Sequence, residues 1–322
     1  MRKLYHLCLS SHDEVLFRNE EDFNMGFNCL ALAILRSESR LLAEGFISTH
    51  HHEALQTDNP VQLMKMERYS YTRYFNAKYH RRGRLGERHC FIIQVEGLYH
   101  SQTLLNYVLR QGLHHGLVST PFAYPHCSAN TIFRQELGKL NTPELIANGQ
   151  RYKYLPDGIS LPSRYRMSAS GLLLREDILD TDYTEEIYIS PRNFLFQMNK
   201  IEKDKDEMEQ IKENGMPPVT LEVVENGVKD FDMRQALINE QGRVNNNALT
   251  DVELCKIIDD IILPTRYFAS GHESSIYLLS DRQRADIGNY IWKETRRYTS
   301  PAGLFKGKIT TEAQIRRCLA IK

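Results

Sequence analysis

A chain of 322 residues, 41% hydrophobic and 25% charged, has the composition of a globular protein large enough for more than one packed unit. Its 41 Lys and Arg balance 41 Asp and Glu, which excludes a uniformly basic nucleic-acid coat. No run reaches the ~18 consecutive apolar residues of a membrane-spanning helix, and the opening stretch from Met1 to Glu14 has no apolar core of a secretory leader.

Charge is unevenly distributed. From Lys65 to Arg88 eight basic residues face only Glu67 and Glu87, and from Asp281 to Lys322 ten basic residues face four acidic ones. Between them, Glu176 to Asp232 holds sixteen acidic and six basic residues. Two basic segments around an acidic one point to two anion-binding surfaces. The six cysteines are scattered without a C-x-x-C pair, which suggests neither a zinc ribbon nor a disulfide framework and fits a reducing cytoplasm.

In chain order, Leu4 to Leu9 reads as a strand, and Asp22 to Ser37 as a helix with Phe23, Phe27, Leu30 and Ile34 on one side. Ala43 to Leu55 reads as a second strand. Val61 to Lys78 follows Pro60 as a helix, Cys90 to Val95 as a third strand, and Gln102 to Gln111 as a helix capped at Gly112. These elements make residues 1–135 an α/β unit. Residues 136–250 form an acidic intermediate region, with short helices expected at Pro143 to Ala147 and Ser170 to Asp180. A charged helix or linker follows at Lys200 to Glu213, and a break at Gly215-Met-Pro-Pro218. Residues 251–322 read as helical: Asp251 to Leu263, ending before Pro264, then Ser280 to Thr295, and Thr311 to Ile321 with Thr310 or Thr311 as N-cap.

The most informative stretch is Gly45-Phe-Ile-Ser-Thr-His-His-His-Glu-Ala-Leu55. On a strand, period-2 alternation puts His50 and His52 on one face, ~7 Å apart, and His51 with Glu53 on the other. Two imidazoles on one face can converge on a divalent ion. Tyr107 and Gln111 stand at i and i+4 of a helix and face the same way. A phenol beside an amide oxygen suits a site where the phenol attacks and the amide helps hold the ion. Packing of Tyr107 beside Leu104 is the alternative reading of that helix.

Together these pieces resemble the single-tyrosine HUH transposases, of the REP-associated tyrosine transposase type. Tyr5-His6, Leu16-Phe17 with Asp22, Tyr71-Thr-Arg-Tyr-Phe-Asn76, Arg82-Gly83-x-Leu85 and His115-Gly-Leu-Val118 resemble further family segments in the same order, over residues 1–135. The resemblance implies an α+β fold: a ferredoxin-like HUH domain, an antiparallel sheet with helices on its faces, followed by a mostly helical C-terminal region. It implies that His50, His52 and Gln111 hold Mg2+ or Mn2+ while Tyr107 attacks the scissile phosphate. The products are then a 5′-phosphotyrosine and a free 3′-OH, and the implied partners are single-stranded or hairpin DNA and, as in many relatives, a second copy of the chain. The family has Asn where Thr49 stands, an apolar residue at His51, and aromatic residues near Gly86 to His89. These departures leave open a DNA-binding relative that does not nick, and an unrelated metallohydrolase with a structural Tyr107 is the third reading.

Basic residues complete the expectation. Arg73, Lys78, Arg81, Arg82, Arg84 and Arg88, interleaved with Tyr69, Tyr71, Tyr74, Phe75 and Tyr79, form a candidate surface for a single strand, with partial burial the alternative for Tyr71 and Tyr74. Thr310-Thr-Glu-Ala-Gln-Ile-Arg-Arg-Cys-Leu319 resembles the second helix of a helix-turn-helix, which makes Arg316 and Arg317 candidate DNA contacts, or else part of a charged surface helix.

Overall fold

The computed structural model describes residues 2–139, 141–155, 161–200, 248–268, 274–296 and 303–321. The expected helix or linker at 200–213 and the break at 215–218 therefore lie outside the described residues, apart from Lys200, the last residue of a helix.

Six elements come first: β1 (Lys3–Ser10), α1 (Glu20–Arg36), β2 (Arg40–Ile47), β3 (His50–Thr57), α2 (Pro60–Tyr79) and β4 (Phe91–Val95). The sheet order is β2-β3-β1-β4 and every neighbouring pair is antiparallel. A β-α-β-β-α-β chain wound in this order is a ferredoxin-like split, so the fold is α+β. Local chemistry sets both crossover helices. Asn19 caps α1 by accepting from the Asp22 amide, ahead of Glu20, Glu21 and Asp22 in the positive first turn. Asn59 caps α2 in the same way, Pro60 occupies the first turn, and His80 ends the helix in the left-handed conformation.

Alternation along the strands gives the sheet two dressed faces. Leu7, Leu9, Leu41, Phe46 and Leu55 pack against α1 and α2 through Phe27, Leu30, Leu63 and Phe75, with Phe17 of the β1–α1 connection among them. The opposite face, with Leu4, Ala43, Ile47 and Ala54, is covered by α3 (Leu98–Leu109), by Phe122, Cys127 and Phe133, and by Tyr188 of α5 (Thr181–Tyr188) and Phe194 of α6 (Pro191–Lys200). Each fully buried Leu or Phe contributes about 1.5–3 kcal/mol. A third cluster joins α7 (Asp251–Ile257), α8 (Leu263–Arg266), α9 (Asp281–Arg296) and α10 (Glu312–Cys318). No helix of the described residues is long and apolar enough to cross a membrane.

Several expectations are corrected. Ala43 to Leu55 is a hairpin rather than one strand, turning at Ser48 and Thr49. Neither turn residue has positive φ. The turn is held instead by other segments: the Leu16 and Phe17 amides donate to the Ser48 carbonyl and the Ser11 amide to that of Thr49. The helix through Tyr107 ends at Leu109, and Gln111 begins a short α4 (Gln111–His114). Gly112 is no cap; a Cβ there would lie 2.4 Å from the Tyr124 ring. The stretches 143–147 and 170–180 are bridged, extended chain (Leu145 with Ser168, Met167 with Leu173) with a single 3-10 turn at Arg175–Asp177. Pro264 does not stop the helix begun at Asp251: a π-type turn at Ile258–Ile262 widens the spiral and carries it into α8. Thr311 is the N-cap of α10, accepting from the Gln314 amide.

Candidate active site

His50 and His52 leave β3 on the face covered by α3 and α4. Their ring centroids are 5.0 Å apart, and the two side chains are 1% and 0% exposed. Register places Gly45 of β2 beside His52. A Cβ at Gly45 would meet the Val108 carbonyl at 2.8 Å and Gln111 Cγ at 3.2 Å, so the glycine lets the end of α3 lie against the sheet. That close approach delivers Tyr107 and Gln111 to the histidines.

The Tyr107 hydroxyl lies 3.2 Å from His52 Nε2. The other nitrogen of His52, Nδ1, is 3.0 Å from His6 Nε2, and the two rings stack. His50 Nδ1 is 3.0 Å from the Thr49 hydroxyl. Each imidazole therefore has its Nδ1 fixed by a neighbour, the arrangement that orients histidines for metal binding. Thr49 stands where the resembling family has Asn, and it holds His50 directly. Gln111 donates its amide N–H to the Tyr107 carbonyl, 3.1 Å away, which leaves its buried Oε1 with no hydrogen-bond partner.

Electrostatics agree with a ligand set. Burial pushes His6 and His50 down to about 3 from 6.5, and at His50 the adjacent Gln111 side chain opposes part of that drop. His52 is also held well below its ordinary value, by burial first and then by the neighbouring imidazoles. All three are neutral at physiological pH, the form that ligates metal. An orphaned amide oxygen beside two neutral, oriented imidazoles fits a hard-to-borderline divalent ion.

Sequence reasoning missed His6, His114 and His115 as members of this pocket. His114 lies 6.4 Å from Tyr107 and His115 lies 5.0 Å from His50, centroid to centroid, and both are partly exposed at its border. The signal was present: Tyr107, Gln111, His114 and His115 fall at i, i+4, i+7 and i+8 of one helical face. For His6 it required the β1–β3 register, which sets Cys8 against His52 and Ser10 against His50.

The basic residues divide. Arg82, Arg84 and Arg88 are exposed and line a cleft of 1030 Å³ with His80 and Arg284. The loop carrying them packs on Ser10, with the Glu87 amide donating to the Ser10 carbonyl, so the cleft lies at the His50 end of the sheet. Arg73 is exposed beside Tyr69. Lys78 and Arg81 are committed elsewhere. Lys78 bonds Asn19, Glu21, Asp22 and Tyr74, and Arg81 makes a two-point contact with Glu14. Tyr71, Tyr74 and Tyr79 spend their hydroxyls on Leu16 and Asp22, and burial of Tyr71 and Tyr79 removes those two rings from base stacking.

Arg316 is exposed, but Arg317 is corrected. It is 3% exposed and forks onto Asp251 at 2.8 and 2.9 Å. Asp251 also accepts from the Ser48 hydroxyl at 2.8 Å, so Arg317 braces the turn that leads into His50 instead of facing solvent. The described residues 303–311 ahead of α10 are non-helical, already more than the 3–4-residue turn of a helix-turn-helix.

No family model and no curated protein matches this chain. Among solved structures, a REP-associated tyrosine transposase bound to a REP hairpin matches at 10% identity. The match covers 44% of this chain and 82% of the other, with a TM-score of 0.35. That is a distant likeness.

Proposed function

We propose that this protein nicks and rejoins single-stranded DNA through Tyr107, in the manner of a transposase. The observation that carries the reading is the buried convergence of the Tyr107 hydroxyl, His52 Nε2 and the unpartnered Gln111 Oε1 beside His50. His50, His52 and Gln111 would hold Mg2+ or Mn2+. Such an ion supplies neutralisation of the scissile phosphate's charge. Tyr107 is the nucleophile: its Oη bonds to phosphorus, the P–O3′ bond breaks, and the phenol's proton ends on the departing 3′-oxygen. The products are a 5′-phosphotyrosine and a free 3′-OH, which later attacks a second phosphotyrosine and restores a phosphodiester without external energy. Gln111 and the Gly45 approach fix where the phenol stands, which lowers the entropic cost of the attack. Arg82, Arg84 and Arg88 in the adjoining cleft track the strand's phosphates.

Burial of the site favours a second reading, a DNA-binding protein of the same fold that does not nick, because Tyr107 is only 4% exposed. One assay decides. The protein is incubated with a single-stranded hairpin DNA and Mn2+, and a covalent adduct is sought on a denaturing gel. An adduct lost in Tyr107→Phe supports nicking. Binding without adduct supports the second reading. Cleavage that survives Tyr107→Phe overturns the tyrosine mechanism and points to a hydrolase.

A further inference from the structure

We propose that His51, Glu53 and Glu67 form a second, buried divalent-metal site on the helix-packed face of the sheet, separate from His50 and His52. Alternation sends His51 and Glu53 of β3 away from the tyrosine pocket, toward α2, where Glu67 meets them. All three are buried, at 2%, 0% and 3% exposure. Their ligand atoms lie within 4.8 Å of one another.

The distances are those of ligands around an ion rather than of a hydrogen-bonded pair. His51 Nδ1 is 3.2 Å from Glu53 Oε1 and 3.3 Å from Glu67 Oε1, yet neither approach has hydrogen-bond geometry. A charge-assisted N–H···O bond spans about 2.7–2.9 Å. Donor atoms each about 2.1 Å from one cation stand about 3.0 Å apart in an octahedron and about 3.4 Å apart in a tetrahedron. Both nitrogens of His51, both oxygens of Glu53 and Oε2 of Glu67 are buried without hydrogen-bond partners.

Charge leads to the same place. Glu44, Glu53 and Glu67 share this face, and the buried guanidinium of Arg175 is engaged by Glu44 at 2.5 Å. Arg68, the neighbour of Glu67 in sequence, is spent on the carbonyls of Leu85, Gly86 and Glu87. The two remaining carboxylates match one divalent charge, and a neutral imidazole with two carboxylates suits a first-row ion such as Zn2+ or Mn2+. An ion there would pin α2 to the strand that carries the tyrosine-side histidines.

The test is metal content after dialysis against Zn2+ or Mn2+, measured on the full chain. In His50→Ala/His52→Ala one equivalent remains, and adding Glu67→Gln removes it; Glu67→Gln alone lowers the wild-type content by one equivalent. Thermal melting gives an independent readout. At a Zn2+ concentration 100 times its Kd, wild type gains roughly 5 °C through the linked equilibrium. Glu67→Gln melts no lower than wild type in EDTA, because the amide keeps the side chain's size and its capacity to hydrogen-bond Glu53, but loses its share of that gain. A site that merely packs the core would instead make Glu67→Gln less stable in EDTA. Unchanged metal content in Glu67→Gln, or no ion in His50→Ala/His52→Ala, overturns the proposal.

Discussion

Replacing His6 by phenylalanine keeps a ring of similar shape against His52 and removes its nitrogens. In the native pocket, His52 can donate Nδ1–H to His6 Nε2, 3.0 Å away, which leaves the Nε2 lone pair facing the Tyr107 hydroxyl. That tautomer is the one able to take a metal at Nε2. In His6→Phe the buried Nδ1–H has no acceptor, a cost of about 1–3 kcal/mol. The ring escapes the cost by moving its proton to Nε2 and donating to Tyr107 Oη, and metal binding must then reverse that shift. At about 1.4 kcal/mol per factor of ten, Mn2+ affinity at this site falls roughly 10–100-fold, in line with other losses of a histidine's outer partner. Titration calorimetry with Mn2+ reads the change directly, on a Glu67→Gln background so that only the tyrosine-side site is counted. Tyr107→Phe is the control, because it leaves the His6–His52 contact intact. If His6→Phe binds Mn2+ as tightly as its parent, His6 does not orient His52 and the ligand assignment built on Nε2 fails.

Arg317→Met removes a guanidinium buried on Asp251 and costs about 3–5 kcal/mol of stability, read as a lower urea midpoint. Affinity for DNA, measured on the folded fraction, stays the same, and a large drop would restore Arg317 as a contact. Arg84→Gln/Arg88→Gln weakens single-strand binding and flattens its log–log salt dependence by about 1.4, at about 0.7 per phosphate contact; an unchanged slope places the strand elsewhere. The metal-free protein is acid-labile. His6 and His50 titrate near 3 when folded and near 6.5 when unfolded, so stability is complete above pH 6.5 and is lost as pH falls toward 3. At pH 5 the loss is about 2 kcal/mol per imidazole, and equal urea midpoints at pH 7.5 and 5.0 in EDTA would contradict neutral burial.

Local physics made much of this molecule legible in sequence. Helices α1 and α2 follow from apolar spacing and, for α2, from Pro60 at its start, because amphipathic faces and helix starts are short-range properties. The split of His50 and His52 from His51 and Glu53 follows from the pleat alone, whichever strands pair. The hairpin turn at Ser48 and Thr49 was not legible, because backbone groups and Asp251 from distant segments hold it in place of glycine or asparagine. The fate of each cation also belongs to the tertiary structure. Arg317 and Arg84 look alike in sequence, yet one meets a buried carboxylate sixty-six residues away and the other meets solvent. Pairing across the sheet decided the two clusters as well: β1 set His6 behind His52, and α2 set Glu67 against His51. Sequence fixes which face a strand residue takes, but only packing brings the donor atoms of separate elements within reach of one another.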